Sequence, residues 1–148
     1  AGQSGWLTQD IDAAISHSPK QSRIIRLGYI PPDDVPVLMS GSACLVLVGL
    51  YEGFGMPPAE ALACDTLPVV SHNSSLPEVV GEAGVIVPKG DAEALAEALG
   101  SLLGDPGTRS RLAAEGPGRV RRLFRARDMM RGYEAVYEQV LLEGARRP

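Results

Sequence analysis

The sequence predicts an α/β fold in which a parallel sheet carries helices on both faces. Short apolar segments alternate along the chain with helix-like segments, and each apolar segment ends at glycine, proline or serine. The second apolar segment, residues 44–48, has no polar residue at alternate positions. Alternation of strands with helices is typical of parallel sheets, and an uninterrupted apolar strand is typical of one covered on both faces.

Four apolar segments are predicted to be strands: residues 23–27, 44–48, 67–70 and 85–87. Each is three to five residues long and is bounded by turn-forming residues, which favours a strand over a buried helix. The order along the chain, strand then helix, predicts that the strands run parallel.

The helices between these strands have readable ends. Asp91 and Asp105 each precede a helical pattern and are predicted to be N-caps, and the pair Asp33 and Asp34 is placed in the same way before a shorter helix. Trp6 is expected to anchor the first helix. Residues 126–148 form the predicted last helix, and its apolar residues are spaced by three or four on one docking face: Met130, Tyr133, Tyr137, Val140 and Leu141.

Composition limits the class of protein. The chain has 148 residues, 45% of them apolar and 22% charged, which suits one domain with a sizeable core and excludes a disordered chain. No apolar run approaches the roughly 20 residues that span a bilayer. Cys44 and Cys64 are too few for a disulfide framework, so a reducing cytoplasm is expected. No His, Cys or Asp cluster has metal-ligand spacing, so no metal is expected.

Charge is unevenly distributed along the chain. Residues 1–116 carry a net charge of −8 and residues 117–148 a net charge of +4, for a total of −4. The acidic body argues against nucleic-acid binding, which needs a basic face. The arginines of residues 119–131 are interpreted as a solvated helix face or as a surface that contacts an acidic neighbour. Peripheral contact with anionic lipid at the inner face of the membrane remains an alternative.

Residues 50–64 are the segment most typical of a ligand site. They follow a predicted strand, cross a loop with two glycines, and enter a helix through two prolines. Glycines allow close approach of backbone N–H groups to a ligand, and free amides at a helix start favour an anion such as phosphate. Glu52 lies in the loop and Glu60 in the first helical turns, so both could point into the crevice at the carboxyl ends of the strands and accept hydrogen bonds from paired hydroxyls, as in a nucleotide-sugar. The alternative is structural: an acid that complements the helix dipole, beside an ordinary turn.

The same segment resembles a known family. Glu52 and Glu60 are separated by seven residues within Tyr-Glu-Gly-Phe-Gly-Met-Pro-Pro-Ala-Glu-Ala-Leu-Ala-Cys, which is similar to the E-x7-E signature of retaining glycosyltransferases of family 4. The resemblance continues in family order over nearly the whole chain, through residues 23–30, 38–42, 74–81, 84–88 and 133–137. It implies the C-terminal, donor-binding half of a two-domain B-type glycosyltransferase, with a Rossmann-like sheet.

The resemblance also implies roles for particular residues. Glu60 would hold the ribose of the nucleotide. Glu52 would face the donor sugar or its phosphate and is the expected catalytic residue, although neither glutamate is assigned as a general base. The backbone amides around three residues would lie along the sugar and phosphate: Gly53, Phe54 and Gly55.

At the end of the first predicted strand, Tyr29 and Ile30 would flank the base. No cofactor is expected beyond the nucleotide-sugar substrate, since the family needs no bound metal ion.

Parts of the family pattern are missing from this chain. Residues 1–2 resemble the tail of the second strand of the donor-binding half, so one strand and most of another are expected to be absent. The Arg and Lys that grip phosphate in a G-R-x4-K-G-like stretch have no match here, and the N-terminal acceptor domain is absent. The 148 residues alone are therefore expected to be inactive, and unpaired strand edges could lead to self-association.

Two main hypotheses follow for function, and a third, a basic-tailed membrane or RNA adaptor, is supported only by the arginine cluster. The first is the donor-binding part of a glycosyltransferase that moves a sugar from a nucleoside diphosphate to an acceptor with retention. The second is a non-catalytic nucleotide-binding or scaffolding module with the same fold, which the missing phosphate-binding cations favour.

Overall fold

The computed structural model describes residues 1–2, 5–6 and 8–144. The chain forms two compact units, Ala1–Leu38 and Met39–Pro148, and each is described by itself. The boundary falls within helix α2, Val35–Ser40.

The first unit contains helix α1, Gln9–Ser16, and two short 3-10 turns, Gln21–Arg23 and Pro32–Asp34. No side chain caps the second of these turns. Asp12 of α1 accepts a hydrogen bond from Arg26, which makes an exposed ion pair. The expectation for Trp6 is wrong, since its side chain is 97% exposed and anchors nothing in the described part of the chain.

Residues 23–27 do not form the predicted strand. Ile24 has extended backbone angles, φ −94° and ψ 110°, but residues 24–27 have no strand pairing in the described chain. Nearby, the N–H of Gly2 donates to the carbonyl oxygen of Gly28, at 2.7 Å, and the N–H of Ile24 donates to the carbonyl oxygen of Gln21 in a local turn, at 3.0 Å. Apolar, β-branched residues favour extended backbone, but a strand also requires a neighbouring strand to pair with.

The second unit is built on a three-stranded parallel sheet. Strands β1 (Leu45–Leu47), β2 (Pro68–Ser71) and β3 (Val85–Val87) lie in the order β1-β2-β3. Val46 pairs with Val69, and Val70 pairs with Ile86. These strands match three of the four predicted from the sequence.

Helices follow each of these strands. Their bounds are α3 Met56–Ala63, α4 Leu76–Val80, a 3-10 turn Gly81–Ala83, α5 Ala92–Gly104, α6 Pro106–Ala113, α7 Gly116–Leu123 and α8 Ala126–Gly144. Asp91 and Asp105 are N-caps, as predicted: their carboxylates accept hydrogen bonds from the N–H groups of Ala94 and Thr108, at 2.9 and 3.0 Å. The bonds from Thr108 lower the pKa of the Asp105 carboxyl.

The sheet is covered on both faces. Val69 packs with Leu102 of α5 and Ala113 of α6, whereas Val70 packs with Leu76 and Val80 of α4. Adjacent residues of a strand point to opposite faces, so these two valines place helices on both sides of β2. All four residues of β2 are buried. The predicted fold class is confirmed.

Helix α7 packs closely on the neighbouring helices of the second unit. A methyl group at Gly116 would lie 2.5 Å from the carbonyl oxygen of Leu62, so only glycine allows this approach of α7 to α3. Arg119 donates from Nε to the carbonyl oxygen of Val79, at 2.8 Å, and also to that of Glu78. Arg119 therefore caps the C-terminal end of α4, a role that the sequence did not predict.

Helix α8, Ala126–Gly144, lies within the predicted last helix; residues 145–148 lie outside the described chain. Its apolar face is exposed throughout, with Tyr133 at 58% and Leu141 at 72% exposure, so nothing in the described chain covers it. No described helix combines the length and apolarity needed to cross a bilayer.

We predict that Gly116→Ala destabilises the protein, because the added methyl group meets backbone atoms that cannot rotate away. Overpacking of this kind costs about 1–3 kcal/mol. Gly118→Ala, two residues along the same helix, is the control, since its methyl group meets nothing within 4 Å. Urea unfolding should show a lower free energy of unfolding for Gly116→Ala alone. Equal stability of the two variants would contradict the contact.

Candidate functional site

The candidate site is the loop of residues 49–55, which leaves the carboxyl end of β1 and enters α3 at Met56. Gly55 is the N-cap of α3 and has a left-handed backbone, φ 89° and ψ 56°. It is buried against Leu76, whose Cδ2 lies 2.7 Å from the position that a Cβ of Gly55 would take. Both the backbone angle and the close packing therefore require glycine at this point.

The free hydrogen-bond donors near the start of α3 are N–H groups of the loop rather than of the helix. Pro57 and Pro58 occupy the second and third positions of α3 and have no N–H. The N–H of Ala59 already bonds to the carbonyl of Gly55, at 3.3 Å. In the described chain no group accepts a hydrogen bond from the N–H of Phe54 or Gly55. These loop amides are available for an anion, which refines the expectation of a helix-start site.

A second loop holds the first; it consists of Ser71, the last residue of β2, and residues 72–75 between β2 and α4. The hydroxyl of Ser71 and the side-chain amide of Asn73 both donate to the carbonyl oxygen of Gly49, at 3.1 and 3.0 Å. The hydroxyl of Ser75 lies 2.5 Å from the carbonyl oxygen of Gly53 and 2.9 Å from that of Phe54. Side chains of the second loop thus fix both ends of residues 49–54.

The backbone of Glu52 faces this second loop. Its N–H points to the hydroxyl oxygen of Ser74 at a long 3.5 Å, and Ser74 itself has a left-handed φ of 47°. The side chain of Glu52 is half-buried and folds over Gly49, with Oε1 3.1 Å from where a Cβ would be. Glu52 therefore lies at the junction of the two loops.

Glu60 lies in an exposed position of α3. Its side chain lines a largely apolar groove of about 730 Å³ between α3 and the α7–α8 region, together with Phe54, Met56 and Phe124. The rings of Phe54 and Phe124 meet edge to face, with centroids 5.2 Å apart and planes at 88°. The ring of Phe54 therefore lies in the groove, and only the backbone of Phe54 is part of the loop surface.

The structure brings together some of the residues expected from the sequence. Phe54 and Glu60 line one groove, whereas Glu52, Gly53 and Gly55 are outside its lining. Tyr29, which is exposed, and Ile30, which is half-buried, belong to the first unit. The assignment of all these residues to a donor stays a prediction.

The contacts that Ser71, Asn73 and Ser75 make were not identified from the sequence. Ser75 is the N-cap residue of α4. Its side chain makes no capping hydrogen bond, however, and reaches the other loop instead. A run of five polar residues directly after a buried strand was the available signal.

The remaining candidates are structural or peripheral. His72 is exposed, and Cys64 is half-buried in the position that follows α3. Burial raises the pKa of the Cys44 thiol, against the opposing effect of the Arg109 guanidinium, and this disfavours the reactive thiolate. In the described chain no three His, Cys, Asp or Glu residues are grouped so that they could hold a metal ion.

Fold and site together define a parallel α/β domain with its candidate site at the carboxyl ends of the strands, where such sheets bind ligands. The family model described as glycosyl transferases group 1 matches residues 6–119. The chain belongs to this family. The resemblance inferred from the motifs is thereby confirmed, while the roles of Glu52 and Glu60 stay predictions.

The chain is similar to curated proteins of known name. It is 34% identical to O-antigen chain mannosyltransferase B of Escherichia coli over 78% of this chain and 30% of that protein. It is 33% identical to MMP alpha-(1->4)-mannosyltransferase of Mycolicibacterium hassiacum over 74% of this chain and 27% of that protein. The chain thus spans about a third of the length of the relatives that it matches.

Solved structures support the fold. Sucrose-phosphate synthase from Thermosynechococcus elongatus superimposes with a TM-score of 0.84 and 27% identity, over 97% of this chain and 38% of that one. The C-terminal domain of a glycosyl transferase group 1 protein from Francisella tularensis superimposes with a TM-score of 0.68 and 21% identity, over 82% of this chain and 66% of that one. These superpositions support the Rossmann-like α/β fold expected from the sequence.

We predict that Gly55→Ala destabilises the protein by about 2 kcal/mol or more, because alanine must adopt a left-handed backbone and overlap Leu76. Gly53→Ala is the matched control in the same loop, since its methyl group meets nothing within 4 Å. Thermal and urea unfolding of both variants measures the difference. Similar unfolding midpoints would show that the Gly55 backbone is free to change.

Proposed function

We propose that this chain is the donor-binding part of a retaining glycosyltransferase, which moves a sugar from a nucleoside-diphosphate sugar to an acceptor. The observation that carries the proposal is the loop of residues 49–55. Its amides at Phe54 and Gly55 have no acceptor in the described chain, Glu52 is part of the loop, and Glu60 follows it in α3. The backbone N–H groups can bind an anion, and the carboxylates can accept hydrogen bonds from hydroxyls. This combination suits a nucleoside-diphosphate sugar, which has a ribose, a diphosphate and a sugar.

The loop amides would stabilise the leaving diphosphate. When the glycosidic bond breaks, the diphosphate leaves with the bonding electrons, and negative charge accumulates on its oxygens. Backbone N–H groups that already point at this charge stabilise it without reorganising, and preorganised donors of this kind lower the barrier more than flexible ones. The acceptor hydroxyl forms the new bond to the same carbon, and its proton passes to an oxygen of the leaving diphosphate.

The two glutamates would orient the donor. Glu60 is exposed and lies in the second turn of α3, where its carboxylate can accept hydrogen bonds from the ribose hydroxyls. Glu52 is held at the loop junction and would face the donor sugar or its phosphate. Retention is proposed on the basis of the family resemblance, and neither carboxylate is assigned as a general base.

The relatives support sugar transfer by the whole protein. Several are named mannosyltransferases, and a further structure with the same fold, HepE from Anabaena, is described as a complex with UDP and glucose. The nucleotide-sugar donor is the proposed partner, and the acceptor would bind to a part of the protein outside this chain. The proposed location is the cytoplasm or the inner face of the membrane, and no cofactor is proposed.

The alternative is a nucleotide-binding module without catalysis. One observation favours it: residues 49–55 and 71–75 contain no Lys or Arg to neutralise a diphosphate. Such a module would bind nucleoside diphosphates without turning over any nucleotide-sugar, so binding and transfer assays on the full-length protein separate the two functions.

We predict that Glu60→Ala in the full-length protein weakens donor binding at least tenfold. Each charge-assisted hydrogen bond to the lost carboxylate contributes about 1.5–3 kcal/mol, and tenfold corresponds to about 1.4 kcal/mol. Calorimetric titration with a panel of UDP-, GDP- and ADP-hexoses measures the effect.

Glu97→Ala is the control for this titration, because Glu97 is also an exposed helical glutamate but lies on α5. It should bind the donor as the unsubstituted protein does. Unchanged affinity in Glu60→Ala, with unchanged far-UV circular dichroism, would remove Glu60 from the donor site.

A further inference from the structure

We propose that Ser75 is a positioning residue for the diphosphate of the donor. In this proposal its hydroxyl orients two successive peptide groups, so that the N–H groups of Phe54 and Gly55 both face the anion. The inference rests on the proposed function and concerns a residue that does not itself contact the ligand.

The orientation follows from the planarity of the peptide group. The hydroxyl of Ser75 lies within hydrogen-bond distance of the carbonyl oxygens of Gly53 and Phe54, at 2.5 and 2.9 Å. In a trans peptide the C=O and the following N–H point in opposite directions. The N–H groups that belong to these two peptides are those of Phe54 and Gly55. Both therefore point away from Ser75, on the side of the loop opposite to the second loop.

This arrangement needs a donor between the carbonyls. Two carbonyl oxygens directed at one point repel each other, and a hydroxyl hydrogen shared between them offsets that repulsion. Without the hydroxyl, each carbonyl would turn separately toward water, because Gly53 and Phe54 are exposed residues. The expected loss is one of orientation rather than of folding stability.

Ser75 is itself firmly placed. It is the N-cap residue of α4, and the next residue, Leu76, is fully buried and packs against Gly55. An N-cap serine usually accepts a hydrogen bond from its own helix, which stabilises the helix by about 1 kcal/mol. Here that bond is absent, and the hydroxyl is directed to the neighbouring loop instead. The helix therefore gives up a local stabilising bond in favour of the loop that carries the candidate site.

The test compares nucleoside diphosphates with nucleosides in the full-length protein. Dissociation constants for UDP, GDP and ADP, each divided by that for the matching nucleoside, isolate the contribution of the diphosphate. Ser75→Ala should reduce this contribution about tenfold, the effect of misdirecting a charge-assisted hydrogen bond, while nucleoside affinity stays the same. Ser75→Thr retains the hydroxyl and should restore most of the diphosphate contribution.

Two further variants complete the experiment. Ser110→Ala removes an exposed serine on α6 and should behave as the unsubstituted protein. Ser75→Cys keeps a side chain of similar volume with a weaker donor, so it should give an intermediate loss, including in the case that Ser75→Ala does not fold.

The outcomes separate the inference from the function on which it rests. Equal losses for nucleoside and nucleoside diphosphate would show that Ser75 is merely structural, and an unchanged ratio would show that it does not orient the amides. Either result overturns the inference and leaves donor binding intact. If the unsubstituted protein binds none of the three nucleoside diphosphates, the proposed function is wrong and the inference is overturned with it.

Discussion

The burial of β2 is the constraint on which the second unit depends. Val69 and Val70 are fully buried on opposite faces of this strand, so helices must cover the sheet from both sides. Because the strands are parallel, each crossover connection leaves the sheet at the carboxyl end of one strand and returns at the amino end of the next. The loops that follow β1 and β2 therefore emerge side by side, and the close contact between them is a direct result of the buried strand.

That contact determines what the loop after β1 can do. A loop with two glycines and exposed carbonyls would ordinarily sample many conformations, and this would lower its affinity for any ligand. Side chains of the second loop hold its carbonyls at both ends, at Gly49 and at Gly53 and Phe54. The candidate site is thus a property of two loops, and each would be incomplete without the other.

Sequence reasoning reached the parts of the structure that depend on local chemistry. Three strands were predicted from short apolar segments bounded by clear turns: residues 44–48, 67–70 and 85–87. Two N-caps were predicted at Asp91 and Asp105, which have the side chain that a helix start needs. The structure confirms these strands and caps. Residues 23–27 look the same locally but have no strand beside them in the described chain. The hydroxyl of Ser75 contacts residues 21 and 22 positions away, and no local pattern encodes such a contact.

The two prolines at the start of α3 also affect the entropy of binding. Their rings fix φ at positions 57 and 58, and a residue that precedes proline, such as Met56, has fewer backbone conformations available in the unfolded chain. Gly55, just before them, is confined beneath Leu76. The backbone from the loop into the helix is therefore already rigid in the folded protein. A bound anion would have to order little further backbone, so the entropic cost of binding would be small.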